Sequence, residues 1–229
     1  MSKTDIKTLW ESGTMEDWEN ALKAYWEMTT VEAHKELECE MDNLHQIENL
    51  NRIREMDGDQ FRDFLYNKYF VWKYTASNRL TTTRNQLKKQ GSDDLYIIKN
   101  SLFTIHDFLS DDIALSLINV QRIKGLGVAG GSGLLSLLFP ELFGTVDQFL
   151  IDSLREVSDL REDETAEYLN RIVKENIKTE EGVFLEKILQ KKAQELNEKY
   201  NTNEWTPRKI DMVLWSYGHI RGRKNNQEP

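Results

Sequence analysis

The sequence of 229 residues contains one cysteine, Cys39, and three prolines, at positions 140, 207 and 229. A single cysteine excludes an internal disulfide, a cysteine zinc site and an iron–sulfur cluster. Residues 1–139 contain no proline, and β-branched runs are few, which favours helices over strands. The sequence also lacks an apolar run long enough to span a bilayer, and residues 1–13 lack the apolar core of a signal peptide. We therefore expect a helical, cytoplasmic protein that does not enter a membrane.

Acidic residues are missing from two stretches, although the chain has a net charge of −9. Residues 64–92 contain six bases and no acid, and residues 113–140 contain Arg122, Lys124 and no acid. The segment 1–63, by contrast, has 16 acids and 7 bases. If the acid-free stretches meet in space, together with the basic tail after position 206, they form a positive face of the kind that binds a polyanion. The alternative is that each stretch is a separate solvated face.

Capping signals and apolar residues at helical spacing predict a string of helices, and no segment alternates long enough to predict a strand. The predicted helix starts are a Thr14–Asp17 capping box and caps at Asp59, Ser92 and Ser110. The predicted helices with two limits cover residues 31–54, 128–139, 147–157, 163–176 and 180–200, and a last helix runs from Thr206-Pro207 to Gly218. We divide the chain into acidic N-terminal helices, residues 1–56, and a region 57–229. The N-terminal helices are either part of the bundle or an interaction module, and the charged helices at 155–204 could be a surface insertion.

The most informative segment is Ile123-Lys124-Gly125-Leu126-Gly127, which is followed by an apolar helix rich in small residues. Two glycines separated by one apolar residue allow a sharp turn that exposes backbone amides at the start of the next helix. Such amides, at the positive end of the helix dipole, can bind a phosphate. The leucine between the glycines would enter the core. The same pattern is also typical of a tight helix–helix turn with no ligand.

This segment resembles the helix-hairpin-helix of the DNA glycosylase superfamily that includes endonuclease III and the adenine and alkylpurine glycosylases. Val146-Asp147 matches the catalytic aspartate of that family at its usual distance from the hairpin, and Met212–Gly218 is similar to the closing helix. Phe64–Leu87 occupies the place of the helices that carry the residues pushed into the duplex. The resemblance covers residues 60–155 and 205–220. It implies an all-α, helix-hairpin-helix DNA-glycosylase-like bundle that needs no cofactor.

The chain departs from the family at three places. Ala129 stands where bifunctional members have the lysine nucleophile, which implies a monofunctional enzyme without Schiff-base chemistry at this position. The cysteine cluster that follows the last helix in some members is absent. The linkage between Leu87 and the hairpin is shorter than usual, so part of the family's helical barrel is missing or replaced by the N-terminal helices.

Hydrolysis of an N-glycosidic bond develops positive charge on the sugar, which a nearby carboxylate can stabilise. The base must first leave the stack, and this requires aromatic walls and a wedge side chain. The candidate residues are Asp147 for catalysis; Lys124, Gly125, Leu126, Gly127, Val128, Ala129, Gly130, Arg79, Arg84 and Lys88 for DNA binding; and Trp72, Lys73, Tyr74, Asn78 and Trp215 for the base pocket or wedge. The structural alternatives are a helix cap for Asp147 and core packing for the aromatic residues. The four histidines show no metal-ligand spacing, so no metal is expected.

We therefore expect removal of a modified or mismatched base from duplex DNA. The alternative is a non-catalytic DNA-binding or adaptor protein that keeps the hairpin. A third hypothesis is a helical interaction bundle in which the glycines serve only packing. The acidic N-terminal helices suggest an additional protein partner.

Overall fold

A computed structural model of the chain describes residues 5–29, 34–108, 112–157 and 164–225. Over these residues the secondary structure is helical and contains no strand, which confirms the all-α expectation. The helices are α1 (Ile6–Ser12), α2 (Met15–Thr29), α3 (Lys35–Asp42), α4 (Ile47–Glu55), α5 (Gly58–Phe64), α6 (Phe70–Lys73), α7 (Ser77–Leu87), α8 (Ser92–Phe108), α9 (Ile113–Val120), α10 (Val128–Leu138), α11 (Gln148–Leu154), α12 (Glu164–Arg171), α13 (Thr179–Tyr200) and α14 (Pro207–Asn225). A π-helical turn, Leu65–Tyr69, joins α5 to α6.

Local capping chemistry sets several helix starts. The Asp17 amide donates to the Thr14 hydroxyl (3.2 Å), and the Thr14 amide donates to the Asp17 carboxylate (2.9 Å), so the predicted capping box is present. Thr206 likewise accepts from the Lys209 amide, as predicted for the start of α14. The cap predicted at Asp59 is wrong, because α5 begins with a capping box between Asp57 and Gln60. The cap predicted at Ser110 lies outside the described residues.

Two predicted helix limits are also wrong. The helix predicted over 31–54 is two helices, α3 and α4, separated by a 3₁₀ turn over Asn43–His45. The Asn43 side chain donates to the Cys39 carbonyl, a local bond that competes with helix continuation. Gly218 does not end α14, which continues to Asn225. A Cβ at Gly218 would lie 2.2 Å from the Phe149 carbonyl oxygen, so this glycine allows α14 to approach α11 closely.

The helices enclose two apolar cores. The first core is built from residues between Met41 and Phe143, on α3 to α10. The second core combines α1 and α2 with α11 to α14, and Trp18 packs edge-on against Trp205 with ring centroids 5.5 Å apart. The acidic N-terminal helices are therefore packed into the bundle. Within the charged segment 155–204, α13 contributes Leu185, Leu189 and other residues to the second core rather than lying on the surface.

Helix α10 lies between the two cores and positions the candidate site. Its Leu134 and Leu135 belong to the first core, whereas Val128 belongs to the second. The loop after α10 returns along it to reach Val146, which is fully buried in the second core. The residue that follows, Asp147, is thereby placed where the cores meet.

Candidate functional site

The hairpin between α9 and α10 has the geometry that its two glycines predict. Gly125 has a φ of +100°, a conformation that favours glycine, and the Leu126 amide donates to the Ile123 carbonyl (3.0 Å). Leu126 is buried in the first core, as expected for the residue between the glycines. The turn therefore holds a fixed shape, because its apolar residue anchors it from the inside.

The hairpin packs against the end of α7. A Cβ at Gly125 would lie 2.8 Å from the Thr83 Cγ2 atom. The Lys124 amide donates to the Gln90 side chain (2.8 Å), and the Lys124 ammonium donates to the Lys89 carbonyl (3.0 Å). These contacts bring the two acid-free stretches, 64–92 and 113–140, together on one surface.

Exposed basic side chains lie on both sides of this contact. They are Arg79, Lys88, Lys89, Arg122 and Lys124. We call these five residues the basic surface. Arg84 is half-buried, with its guanidinium 4.3 Å from the centre of the Tyr66 ring and its Nε donating to the Tyr66 carbonyl. Arg84 therefore supports the helix that carries the surface.

The first turn of α10 offers unpaired backbone donors next to the basic surface. Gly127 is the N-cap residue and has no side chain to accept the amides of the first turn. Gly127 is exposed and Ala129 is half-buried, whereas Val128 and Gly130 are buried. The accessible end of this helix therefore carries a partial positive charge that an anion can approach.

Asp147 occupies the N-cap position of α11. Its Oδ1 atom accepts from the Phe149 and Leu150 amides, at 2.9 and 3.3 Å. The preceding residue is tied to α10, because the Val146 amide donates to the buried Ser132 hydroxyl (3.0 Å). The carboxylate is thus anchored to the same helix whose first turn forms the hairpin. The cap uses Oδ1 and leaves Oδ2 for another partner.

That partner is Lys73. Its Nζ atom lies 3.7 Å from the Asp147 Oδ2 atom, and the two side chains are 12% and 15% exposed. Burial lowers the pKa of the Lys73 ammonium, and the neighbouring Asp147 carboxylate opposes that shift. Lys73 also lies over α10, since a Cβ at Gly133 would be 3.3 Å from its Nζ atom. The site therefore combines a capped carboxylate and an amine in a nearly dry environment.

A buried polar network adjoins this pair, and the sequence analysis did not identify it. Arg208 and Asp211 form a buried ion pair on α14 (2.9 Å). Burial raises the pKa of Asp211 to about 6, a shift that Arg208 opposes. Glu38 accepts from the Tyr25 hydroxyl and from the Trp72 indole, each at 2.7 Å. The spacing of Arg208 and Asp211, three residues apart at the start of a helix, was the one sequence signal for this network.

The predicted pocket residues divide between this network and the surface. Trp72 is half-buried, with the Arg208 guanidinium 5.5 Å from the centre of its ring. Tyr74 is buried against Gly130 and lies beneath Arg79, whose guanidinium is 5.3 Å from the ring centre. Asn78 is exposed at the start of α7. Trp215 stacks on His219, with ring centroids 4.5 Å apart, which is a packing contact on α14.

Asp147 lines neither of two cavities that described residues form. The larger, of about 590 Å³, is an open groove between α8 and α9 with Ile97 and Ile118 on its walls. The smaller, of about 230 Å³, lies between α2, α10 and α14 and includes Trp26 and Arg208.

Among the described residues, no three histidine, cysteine, aspartate or glutamate side chains are grouped so that they could hold a metal ion. In the same part of the chain, no helix combines the length and apolar character needed to cross a membrane.

Comparisons of the chain with protein-family models, with curated proteins and with solved structures find no match.

Proposed function

We propose that the protein binds duplex DNA through the hairpin and the basic surface and hydrolyses the N-glycosidic bond of a modified or mismatched base. The observation that carries this proposal is the anchoring of Asp147 to α10 through the Ser132–Val146 hydrogen bond. Because the same helix begins at the hairpin, a phosphate held there would fix the distance between the DNA backbone and the carboxylate. The helix-hairpin-helix resemblance of residues 123–147 supports the same assignment.

The charge distribution supports DNA as the partner. Phosphates are bound by Lys and Arg side chains and by helix N-termini, and both kinds of donor lie together around Gly127. The acidic segments of the chain would be repelled by a duplex, so the basic surface fixes the orientation of binding. The acidic N-terminal helices bury their apolar side in the two cores, α1 and α2 in the second and α3 and α4 in the first, and present charged residues to solvent. A protein partner would meet those charged residues.

The chemistry assigned to Asp147 follows from its two oxygens. Oδ1 is held by the α11 amides, and Oδ2 lies 3.7 Å from the Lys73 Nζ atom. A carboxylate fixed in this way can stabilise the positive charge that develops on the sugar and can orient the attacking water. Ala129 supplies no amine at the hairpin, so water is the nucleophile in this proposal.

A second candidate is a DNA-binding or adaptor protein without catalysis. The ion pair between Lys73 and Asp147, and the absence of Asp147 from both cavities, favour it. In this case the pair would only join the two cores, and the basic surface would keep its role.

The test is a base-release assay on duplex oligonucleotides that each contain one modified or mismatched base, combined with a gel-shift assay on the same duplexes. Release of one base with an intact strand supports the glycosylase. Binding without release from any duplex favours the adaptor. If neither binding nor release is detected at low salt, the DNA proposal fails and a helical interaction bundle takes its place.

A further inference from the structure

A buried lysine beside the proposed catalytic carboxylate raises a question of charge. An ammonium 3.7 Å from Asp147 would oppose a cation forming on the sugar at the same place. The repulsion between the ammonium and the sugar cation disappears if the lysine loses its proton during the reaction. The departing base needs a proton at that moment, because a neutral base that leaves with the bonding electrons becomes an anion.

We propose that Lys73 is the general acid that protonates the departing base, an inference that rests on the proposed glycosylase function. As the C1′–N bond breaks, its electron pair goes to the base nitrogen, which takes a proton from the Lys73 ammonium. The sugar cation that remains faces Asp147 and the now neutral amine. Water then attacks C1′ and passes its extra proton to the amine, so the ammonium is regenerated.

The surroundings of Lys73 suit this role. Burial lowers its pKa, which makes the ammonium a better donor than an exposed lysine. Asp147 and Asp211 oppose this shift and so favour the protonated form, whereas Arg208 and Arg79 favour proton loss. Lys73 comes from the last turn of α6, directly after the π-helical turn, and α10 limits its movement from the other side.

Lys73 also differs from the other lysine of its helical segment. Lys68 is 47% exposed and forms a surface ion pair with Glu40 (2.8 Å), as expected for a solvated side chain. Lys73 instead pairs with Asp147, the proposed catalytic carboxylate, and its side chain is largely buried. Lys68 therefore serves as the matched control.

The experiment compares Lys73→Gln, Lys73→Arg and Lys68→Gln with the wild-type chain. Two duplexes are used for each protein. One contains a neutral base that the wild type releases, and the other contains N7-methylguanine, which carries a positive charge and leaves without taking up a proton. Thermal unfolding is recorded for every variant, so that base release is compared among folded proteins.

We expect both Lys73 variants to release the neutral base about 100-fold more slowly, in keeping with the loss of one general acid. Release of N7-methylguanine should not fall in these variants, because this base takes no proton from Lys73, and Lys68→Gln should resemble the wild type on both duplexes. Arginine keeps the positive charge but cannot donate a proton, so rescue by Lys73→Arg would indicate a merely structural ion pair. The wild-type rate on the neutral base should fall as pH rises through the Lys73 pKa, and Lys73→Arg should lack this fall.

Two outcomes overturn the inference alone: rescue by Lys73→Arg, or an equal loss by Lys73→Gln on both duplexes while the wild type releases base. No release by the wild type from any duplex would instead remove the proposed function, and the acid role with it. The two failures are therefore distinguishable.

Discussion

Thr83 and Gly125 are in direct contact, and this contact joins two stretches of the chain that contain no acid. A Cβ at position 125 would lie 2.8 Å from the Thr83 Cγ2 atom and 2.9 Å from its carbonyl oxygen. The basic helix and the hairpin are therefore positioned by a glycine whose φ of +100° other residues rarely adopt. Because Gly125 determines both the shape of the turn and the position of the basic helix, a change there would alter stability and binding together. The two effects have to be separated by experiment.

Gly127 allows that separation. A Cβ at this position meets no atom within 4 Å, so Gly127→Ala should fold like the wild type. The added methyl group would still obstruct the approach of a phosphate to the first-turn amides. We expect duplex affinity to fall about tenfold, as for the loss of one hydrogen bond to a charged group of about 1.5 kcal/mol. Gel shifts at low salt measure this, and Gly91→Ala, whose nearest contact would be at 3.9 Å, is the control. Unchanged affinity would remove the hairpin amides from the proposed interface.

Gly125→Ala should behave differently, because it strains the turn and clashes with Thr83. We expect the free energy of unfolding to fall by about 1–3 kcal/mol, measured by urea denaturation. A variant as stable as the wild type would show that the turn can relax.

Charge reversal tests the basic surface. Arg79→Glu with Lys88→Glu should strongly weaken duplex binding and reduce the salt dependence of log affinity by roughly one unit for each lost phosphate contact. The control is Lys7→Glu with Lys187→Glu, two exposed lysines outside the basic surface. Binding is measured over a series of salt concentrations. Equal losses in both pairs would indicate a general charge effect instead of a defined surface.

Charge reversal at two other basic residues would disturb packing or the ion pair of a buried lysine. Arg84 donates to the Tyr66 carbonyl, and its reversal would disturb packing. Lys192 is buried beside Glu195, with Nζ and Oε2 2.7 Å apart, so it is not a neutral control.

Asp147→Asn tests the carboxylate. Asparagine keeps an oxygen for the Phe149 and Leu150 amides but removes the charge. We expect base release to fall by about 100-fold or more, while DNA affinity holds or rises. Asp152→Asn, on the same helix and paired with Lys174, is the control. Loss of folding in Asp147→Asn, without a separable effect on release, would return Asp147 to a capping role alone.

Borohydride trapping tests the nature of the nucleophile. Because Ala129 offers no amine and water is the proposed nucleophile, the abasic strand should stay intact and no covalent protein–DNA adduct should form. Denaturing gels with labelled duplex detect such an adduct. A strong adduct, mapped to Lys73 or Lys124 by peptide mass, would contradict hydrolysis by water, and an adduct on Lys73 would also contradict its acid role.

Glu186 should make the stability of the protein depend on pH. Its Oε2 atom accepts from the Gly144 amide (2.8 Å), yet burial raises its pKa well above the usual 4.5. A pKa raised in the folded state means that stability is full below the unfolded pKa and is lost as pH rises through the folded pKa. Glu186→Gln should therefore be more stable than the wild type at pH 8, with the difference shrinking towards pH 5. Urea denaturation at both pH values measures this, with the exposed Glu198→Gln as control. A constant difference would show that Glu186 does not titrate in this range.

The sequence was most informative where a structure depends on neighbouring residues. The Thr14–Asp17 box, the Thr206 cap and the buried Leu126 follow from side chains within a few positions of one another. The break at Asn43 was missed because its amide competes with a helical pattern that otherwise continues. The spacing of apolar residues does not show where a side-chain hydrogen bond interrupts a helix.

Contacts between distant segments were outside what one sequence can predict. The basic stretches were recognisable by composition, but their contact depends on Thr83 meeting Gly125. The proximity of Lys73 to Asp147, 74 positions along the chain, depends on how α6 packs over α10. Glu38 was hidden among many acids, and only its bonds to Tyr25 and Trp72 distinguish it.

The contact between Trp18 and Trp205 has a consequence for the order in which the chain folds. These rings belong to one core, but they are separated by almost the whole sequence. Residues between Met41 and Phe143 can assemble the first core while the ribosome is still making the rest, because their partners have already emerged. The apolar face of α2 cannot be buried until α14 has been synthesised. A nascent chain stalled before Trp205 would therefore expose Trp18 to solvent. We expect such a nascent chain to be a substrate for chaperones.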